Sequence, residues 1–207
     1  MLFRSVELGQ QPAVGIVGAK LLYPDRHAIQ HGGVIVGAYG AAEHYAKRLR
    51  LPEDPVEKGY GELMTTNHEV AAVTAACMLM RRDAFERAGG FDESIAVGFG
   101  DVDLCLKALR LGYRIVFCAH AVLVHHESFT RGTSAVDPHP EDSRKYQDKW
   151  GWFLDAGDPY YHPGLSLTSS NWSLRHPVPA RFEIRRRVVR RGRAGGLESV
   201  EFSPPVL

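Results

Sequence analysis

Short apolar runs separated by glycine, proline and charged positions make up the first part of the chain. Residues 14–18 and 20–23 predict buried strand pieces that end at a Pro24-Asp25 turn, and Val34–Val36 predicts a further strand between glycines. Residues 70–80 are apolar with little alternation, which favours one strand buried on both faces of a sheet.

Helical periodicity is clearest over residues 101–111, where Asp101 stands at the N-cap position and Gly112 follows the last turn. Residues 82–88 predict a short helix, and residues 141–150 predict a polar amphipathic one. Strands alternating with short helices indicate an α/β sandwich. The remaining predictions are a short helix over residues 2–8, a long loop over 37–63, and strands over 114–118 and 121–124.

Composition supports one soluble globular domain, because 207 residues with 44% hydrophobic and 24% charged positions suffice for a sizeable core. A net charge of +1 argues against a general nucleic-acid binder. Cys77, Cys105 and Cys118 show no metal or disulfide spacing, which favours buried thiols in a reducing compartment. Without an apolar run of membrane-spanning length or a signal-peptide core, a cytoplasmic location is expected.

Charge is concentrated at the C-terminal end, where eight arginines stand against three glutamates from Arg175 onward. We therefore expect residues 1–170 to form the domain and residues 171–207 to form an Arg-rich, flexible tail. Such a tail is either a solvated segment or a contact with anionic lipid head groups at the inner face of the membrane.

Three segments in order resemble family 2 glycosyltransferases, especially the bacterial enzymes that build surface polysaccharide. They are residues 14–37 (VGIVGAKLLYPDRHAIQHGGVIVG), 72–94 (AVTAACMLMRRDAFERAGGFDES) and 98–128 (GFGDVDLCLKALRLGYRIVFCAHAVLVHHES), followed by Arg131-Gly132. The resemblance implies a type A glycosyltransferase fold, a mostly parallel sheet with helices on both faces. In this family the first half binds the nucleotide-sugar and ends with an Asp-x-Asp metal motif, and the second half holds the acceptor and the catalytic base.

No Asp-x-Asp motif precedes residues 14–23, and Asp101-Val-Asp103 matches by its neighbours the later, acceptor-side motif. The expected fold is therefore a partial type A glycosyltransferase fold, a Rossmann-like mixed sheet flanked by helices without the N-terminal nucleotide-binding strands. The implied function is inverting transfer of a sugar from a nucleotide-sugar to a glycan or lipid-linked glycan. The alternative is a catalytically incomplete fragment or an acceptor-binding pseudo-enzyme that lacks the donor site.

The resemblance makes Asp101 the candidate catalytic base, because a carboxylate is ionised at neutral pH and can take a proton from the acceptor hydroxyl. Gly100 stands where the family has an acidic residue or asparagine, which departs from the pattern. The alternative role for Asp101 is a helix cap. Asp103 is expected either to position the acceptor or Asp101, or to act only as a favourable carboxylate in the first helical turn.

Thr74 and Asp92 are further candidates for acceptor binding. Small residues beside Thr74 would let a ligand approach the backbone, although close packing of strand on helix is the favoured interpretation of the alanines. Asp92 follows a Gly-Gly helix stop and could instead close a turn.

His125 is the candidate metal or diphosphate contact by resemblance, with Mg²⁺ or Mn²⁺ as the implied ion and a site left incomplete by the missing Asp-x-Asp. Because side chains alternate along a strand, we expect only one of His125 and His126 to face a given site. Ser128 and Arg131 are the candidate diphosphate contacts, since a guanidinium binds phosphate oxygens in pairs. The alternative for both is a solvated loop.

Overall fold

The computed structural model describes residues 2–50, 60–126, 139–175, 187–191 and 197–201. The helices are α1 (Leu2–Gly9), α2 (Arg82–Ala88), α3 (Gly100–Arg110) and α4 (Pro140–Ala156). The strands are β1 (Val14–Leu22), β2 (Ile29–His31), β3 (Val34–Val36), β4 (Ala42–His44), β5 (His68–Glu69), β6 (Met78–Met80), β7 (Arg114–Val124), β8 (Arg187–Arg191) and β9 (Leu197–Glu201). Single 3-10 turns occupy Ala38–Gly40, Tyr60–Glu62 and Ala75–Cys77.

A mixed sheet built on β1 organises the fold. β7 lies parallel to β1 along most of its length, and the short strand β5 pairs with the far edge of β7. On its other edge β1 is paired twice, with β6 along Ile16–Gly18 and with β2 along Leu21–Leu22, both antiparallel. A mixed sheet flanked by helices agrees with the α/β, partial type A glycosyltransferase fold that the sequence predicts.

Alternate side chains of β1 enter two separate cores, as strand geometry requires. Ile16 packs into the larger core together with Phe117, Leu106 of α3 and Trp150 of α4. Val17 packs on the opposite face, where Leu8 of α1 covers a smaller cluster. The sheet is therefore covered by helices on both faces, and β1 is buried between them.

The predicted continuous strand over residues 70–80 is wrong. Residues 70–73 are buried, but the chain leaves the ladder after β5, makes the Ala75–Cys77 turn and re-enters the sheet as β6. The Thr74 side chain accepts a hydrogen bond from Ala76 N at 3.3 Å and so begins the turn. The apolar pattern therefore predicted burial correctly for residues 70–73, but Ala75 and Ala76 in the turn are exposed and residues 77–80 are half-buried.

One other prediction needs correction. Residues 114–124 form one strand rather than two, with a bulge of residues 119–121 where Ala19 pairs Cys118 and Lys20 pairs Val122. Within the predicted tail, β8 and β9 form an antiparallel pair, and residues up to Arg175 pack on the domain, where Trp172 contacts the Tyr45 ring. The rest of the predicted tail lies outside the described residues.

Two buried thiols, Cys105 and Cys118, and the half-buried Cys77 are unpaired. Within the part of the chain that the structure describes, no helix has both the length and the apolar character needed to cross a membrane.

Gly18→Ala should destabilise the fold, because the new Cβ would lie 2.4 Å from Val73 Cβ in the middle of the sheet. Overpacking of this kind costs about 1–3 kcal/mol, measurable as a lower midpoint of urea unfolding. Gly151→Ala is the matched control, since a Cβ there meets nothing within 4 Å. On helix α4 it should raise stability by roughly 0.5–1 kcal/mol. Equal midpoints for Gly18→Ala and the parent would contradict the packing described.

Candidate functional site

A cavity of about 960 Å³ opens beside the C-terminal ends of β1 and β7. Four of the predicted site residues line it: Thr74, Asp92, Asp101 and His125. Its further polar lining comprises side chains that the sequence did not single out as binding residues: Gln30, Glu43, His44, Lys47, Glu93, His126 and His139. Clefts at the carboxyl ends of parallel strands are the usual ligand sites of α/β folds.

His125 is placed by the parallel pair of strands. Leu22 of β1 pairs with Val124, the last residue of β7, and His125 N then donates to Leu22 O at 3.0 Å. His126 lines the same cavity. The prediction that only one of the two histidines faces the site is therefore wrong, because strand alternation no longer applies beyond Val124.

Asp101 lies in the first turn of α3 and is not its N-cap. Phe99 takes that position in a left-handed conformation (φ 63°), with no side-chain capping bond. One carboxylate oxygen of Asp101 accepts from Ala75 N at 3.0 Å, and the other accepts from Val102 N at 2.9 Å. The carboxylate therefore joins α3 to the Ala75–Cys77 turn and is held in one orientation at the cavity wall.

Asp92 closes a turn and also lines the cavity. Its Oδ1 accepts from Ser94 N at 3.1 Å and from Ser94 Oγ at 2.6 Å. Its Oδ2 forms an ion pair with Lys149 Nζ at 2.6 Å. The hydrogen bond from Lys149, followed by those from Ser94, holds the pKa of Asp92 well below its usual range. The turn predicted as the alternative is thus present, and the carboxylate is fixed by α4.

Asp103 does not reach the cavity, and its predicted contact with an acceptor is wrong. The side chain is fully buried, and Oδ1 accepts from Trp150 Nε1 at 2.8 Å and from Lys149 Nζ at 2.7 Å. Oδ2 lies 3.0 Å from Lys107 Nζ. Two residues along a helix from Asp101, the side chain points to a different face, into the contact between α3 and α4.

Gln30 and His44 line the cavity and are hydrogen-bonded to neighbouring side chains, with the fully buried His31 behind them. Gln30 Oε1 lies 2.8 Å from His125 Nδ1, and His44 Nδ1 lies 3.1 Å from the Gln30 carbonyl oxygen. His31 is fully buried, with Nδ1 3.3 Å from His44 Nδ1 and Nε2 accepting from Thr74 N at 3.4 Å. Burial, and secondarily the nearby His44, hold the pKa of His31 well below its usual value, so the ring is neutral.

Residues 91–99 form one wall of the cavity and are held to helix α4 by hydrogen bonds and a ring contact. The Asp142 carboxylate accepts from the backbone N–H groups of Ala96, Val97 and Gly98, at 3.2, 2.8 and 2.8 Å. Lys145 Nζ donates to Ser94 O at 2.7 Å, and Tyr146 stacks on Phe99 with ring centroids 4.9 Å apart. Sequence reasoning missed these contacts, although Asp142, Lys145 and Lys149 repeat at helical spacing on one face.

The residues that the structure describes do not form a metal site by themselves. They include no group of three or more His, Cys, Asp or Glu side chains arranged to hold an ion. His125 therefore stays a predicted metal ligand. The predicted diphosphate contacts Ser128 and Arg131 lie outside the described residues.

The chain is similar in sequence to several known proteins. The family described as "Glycosyltransferase like family 2" matches residues 5–147. O-antigen biosynthesis protein RfbC of Myxococcus xanthus is 42% identical over 173 residues, which are 83% of this chain and 13% of that protein. Uncharacterized protein y4gI of Sinorhizobium fredii is 40% identical over 85% of this chain and 19% of its own length.

A third relative is the N-acetylglucosaminyl-diphospho-decaprenol L-rhamnosyltransferase of Mycobacterium tuberculosis. It is 25% identical over 92% of this chain and 60% of its own length. The chain thus spans less than two thirds of each of these relatives. No solved structure gives a significant match.

Asp142→Asn should loosen the cavity wall, because it removes the charge that holds three backbone N–H groups. Hydrogen exchange at Ala96, Val97 and Gly98 should accelerate by about tenfold or more, as expected for the loss of hydrogen bonds to a charged group. Asp148→Asn, an exposed change on the same helix, should leave this exchange unchanged. Equal protection in the parent and Asp142→Asn would contradict the role of the carboxylate.

The effect of Asp142→Asn on the free energy of unfolding should depend on pH. The N–H groups of Gly98, Val97 and Ala96 lower the pKa of Asp142 in the folded state. Its stabilising contribution is therefore fully present above the ordinary carboxyl pKa of about 3.9 and is lost as the pH falls through the lowered value. The stability difference between the parent and Asp142→Asn should shrink over that acid range in urea unfolding.

Proposed function

Because this chain belongs to glycosyltransferase family 2, we propose that it forms the acceptor side of an enzyme that transfers a sugar from a nucleotide-sugar to a hydroxyl of a glycan or lipid-linked glycan. The proposed setting is surface-polysaccharide synthesis. Two relatives support this setting by name, an O-antigen biosynthesis protein and an N-acetylglucosaminyl-diphospho-decaprenol L-rhamnosyltransferase. The observation that carries the proposal is the convergence of Thr74, Asp92, Asp101 and His125 on one large cavity.

Asp101 is the proposed base. Of the three acids predicted for the site, Asp103 is buried away from the cavity and Asp92 is paired with Lys149. Asp101 lines the cavity, and within the described residues its carboxylate accepts hydrogen bonds from the backbone N–H groups of Ala75 and Val102. Each carboxylate oxygen thus keeps lone-pair capacity to accept the proton of an attacking hydroxyl.

The transfer is proposed to invert the anomeric centre. A hydroxyl oriented by the cavity wall would attack the sugar while Asp101 removes its proton and the nucleoside diphosphate departs from the opposite face. Ser128 and Arg131 are retained as proposed diphosphate contacts, on the chemistry of a hydroxyl and a guanidinium with phosphate oxygens. Thr74 is proposed to bind the acceptor, and His125 is proposed as a contact of the implied Mg²⁺ or Mn²⁺ ion.

The proposed location is the cytoplasm, at the inner face of the membrane, where a lipid-linked acceptor would be presented. The arginine excess from Arg175 onward supports a peripheral contact with anionic lipid head groups.

Asp101→Asn should reduce sugar transfer by roughly 10²- to 10⁴-fold, the usual loss on removing a general base. The substitution keeps the size of the side chain and one accepting oxygen, so the fold should be retained and circular dichroism should be unchanged. The measurement is transfer of labelled sugar from a panel of nucleotide-sugars to a lipid-linked acceptor.

Asp148→Asn, an exposed aspartate of α4 outside the cavity lining, is the matched control and should transfer at the parent rate. A parent that transfers sugar together with an Asp101→Asn variant of equal rate would refute the base assignment. A parent with no transfer to any acceptor would favour the second candidate.

The second candidate is an acceptor-binding portion that does not turn over alone. The observation that favours it is that Thr74 and Asp92, the predicted acceptor contacts, line the cavity.

On this second candidate the chain should bind acceptor glycan but bind nucleotide-sugars weakly or not at all, even with manganese present. Isothermal titration calorimetry with common nucleotide-sugars distinguishes the two candidates. A dissociation constant in the micromolar range for any of them would exclude the second candidate.

A further inference from the structure

We infer that Gln30 is a positioning residue that fixes the protonation pattern of the His125 ring. It holds the proton on Nδ1 and leaves the lone pair on Nε2, where it can accept a hydrogen bond from a hydroxyl or bind the predicted metal ion. The inference rests on the proposed function for the identity of the ligand, because it concerns the same cavity. The ring geometry on which it is built does not depend on that function.

The backbone places Gln30 at a bulge. Leu22 of β1 pairs with Ile29, and Leu21 pairs with His31, so two neighbouring residues of β1 face three residues of β2 and Gln30 is the unpaired one. Bulges of this kind re-aim a side chain next to functional sites. Here the extra residue brings its carbonyl oxygen to His44 and its side-chain amide to His125.

The side chain of Gln30 is buried to within 1% of complete exclusion from solvent, and its amide oxygen lies 2.8 Å from His125 Nδ1. An amide oxygen can only accept a hydrogen bond, so the donor must be Nδ1–H. When one ring nitrogen of a neutral imidazole carries the proton, the other carries the lone pair. The hydrogen bond therefore assigns the lone pair of His125 to Nε2.

His125 is held on two sides. Its backbone N–H is bonded to Leu22 O at 3.0 Å, at the shared end of β1 and β7, and Gln30 fixes its ring. Nε2 makes no hydrogen bond within the described parts of the chain, while the residue lines the cavity that also contains Asp101. A neutral Nε2 accepts from a hydroxyl but repels an unprotonated phosphate oxygen, which also has only lone pairs to offer. The geometry thus leaves His125 a lone pair for a hydroxyl or for the predicted metal ion, and not for a bare phosphate oxygen.

A role for Gln30 in packing alone would not select one ring nitrogen of His125. A spectroscopic measurement of the tautomer therefore separates positioning from packing. Long-range ¹H–¹⁵N spectra of the full chain with ¹⁵N-labelled histidine distinguish protonated from lone-pair ring nitrogens. They are recorded at mildly alkaline pH, and His125→Gln identifies the His125 signals.

In the parent we expect His125 Nδ1 to give the signal of a protonated nitrogen and Nε2 that of a lone-pair nitrogen. Gln30→Met, which keeps the length of the side chain but has no amide oxygen, should lose this preference. Gln30→Glu, which restores an accepting oxygen, should recover it. Gln147→Met is the matched control, because Gln147 is exposed and bonds Gly40 O away from the cavity lining.

Two results would overturn the inference: a parent in which Nε2 of His125 carries the proton, or a Gln30→Met variant with the parent tautomer. The first result would also be seen if the Gln30 amide were turned to present its NH₂ group to Nδ1. The signals of the other nine of the ten histidines report whether Gln30→Met is folded. If it is not, the parent spectrum and Gln30→Glu still decide. No donor or acceptor is needed, so failure here is separate from failure of the proposed transfer.

Discussion

The parallel pairing of β1 with β7 is the constraint on which the rest of the structure depends. It buries β1 between two cores and brings the C-terminal ends of both strands to one edge of the sheet. Because Leu22 pairs with Val124 at that edge, β2 and His125 emerge side by side although they are far apart in sequence. The cavity lies at this edge, as expected for parallel strands.

Sequence patterns predicted those features that depend on local periodicity. Helices α2, α3 and α4 and the strand Val34–Val36 follow from apolar spacing and glycine stops, and the structure contains each of them. The break at Ala75–Cys77 could not be predicted in the same way, since it is stabilised by a bond from Ala75 N to Asp101, which lies 26 positions further along the chain. The apolar run identified the buried residues 70–73, but a long-range partner decides where the strand breaks and which side chains are exposed there.

Only part of the candidate site could be predicted from the sequence, because its arrangement also depends on long-range contacts. Asp101, Asp92, Thr74 and His125 came from resemblance, and the structure gathers all four at one cavity. Asp103 was misplaced because sequence proximity to Asp101 says nothing about which helix face meets α4. Gln30 and His31 were overlooked, although two consecutive polar residues before Gly32 in a buried strand are an uncommon arrangement that requires specific partners.

The buried carboxylate of Asp103 shows how the core shapes the cavity. Burying an ionised group is costly unless it is paired and fully hydrogen-bonded. The indole of Trp150 and the ammonium group of Lys149 hydrogen-bond Oδ1, and the ammonium group of Lys107 forms an ion pair with Oδ2, which has no hydrogen bond among the described residues. Lys149 bonds Asp92 with the same ammonium group, so the core pair and the cavity wall share one cation. The packing of α4 on α3 therefore also sets the position of Asp92. The cavity wall beside Asp101 thus depends on an ion pair in the core.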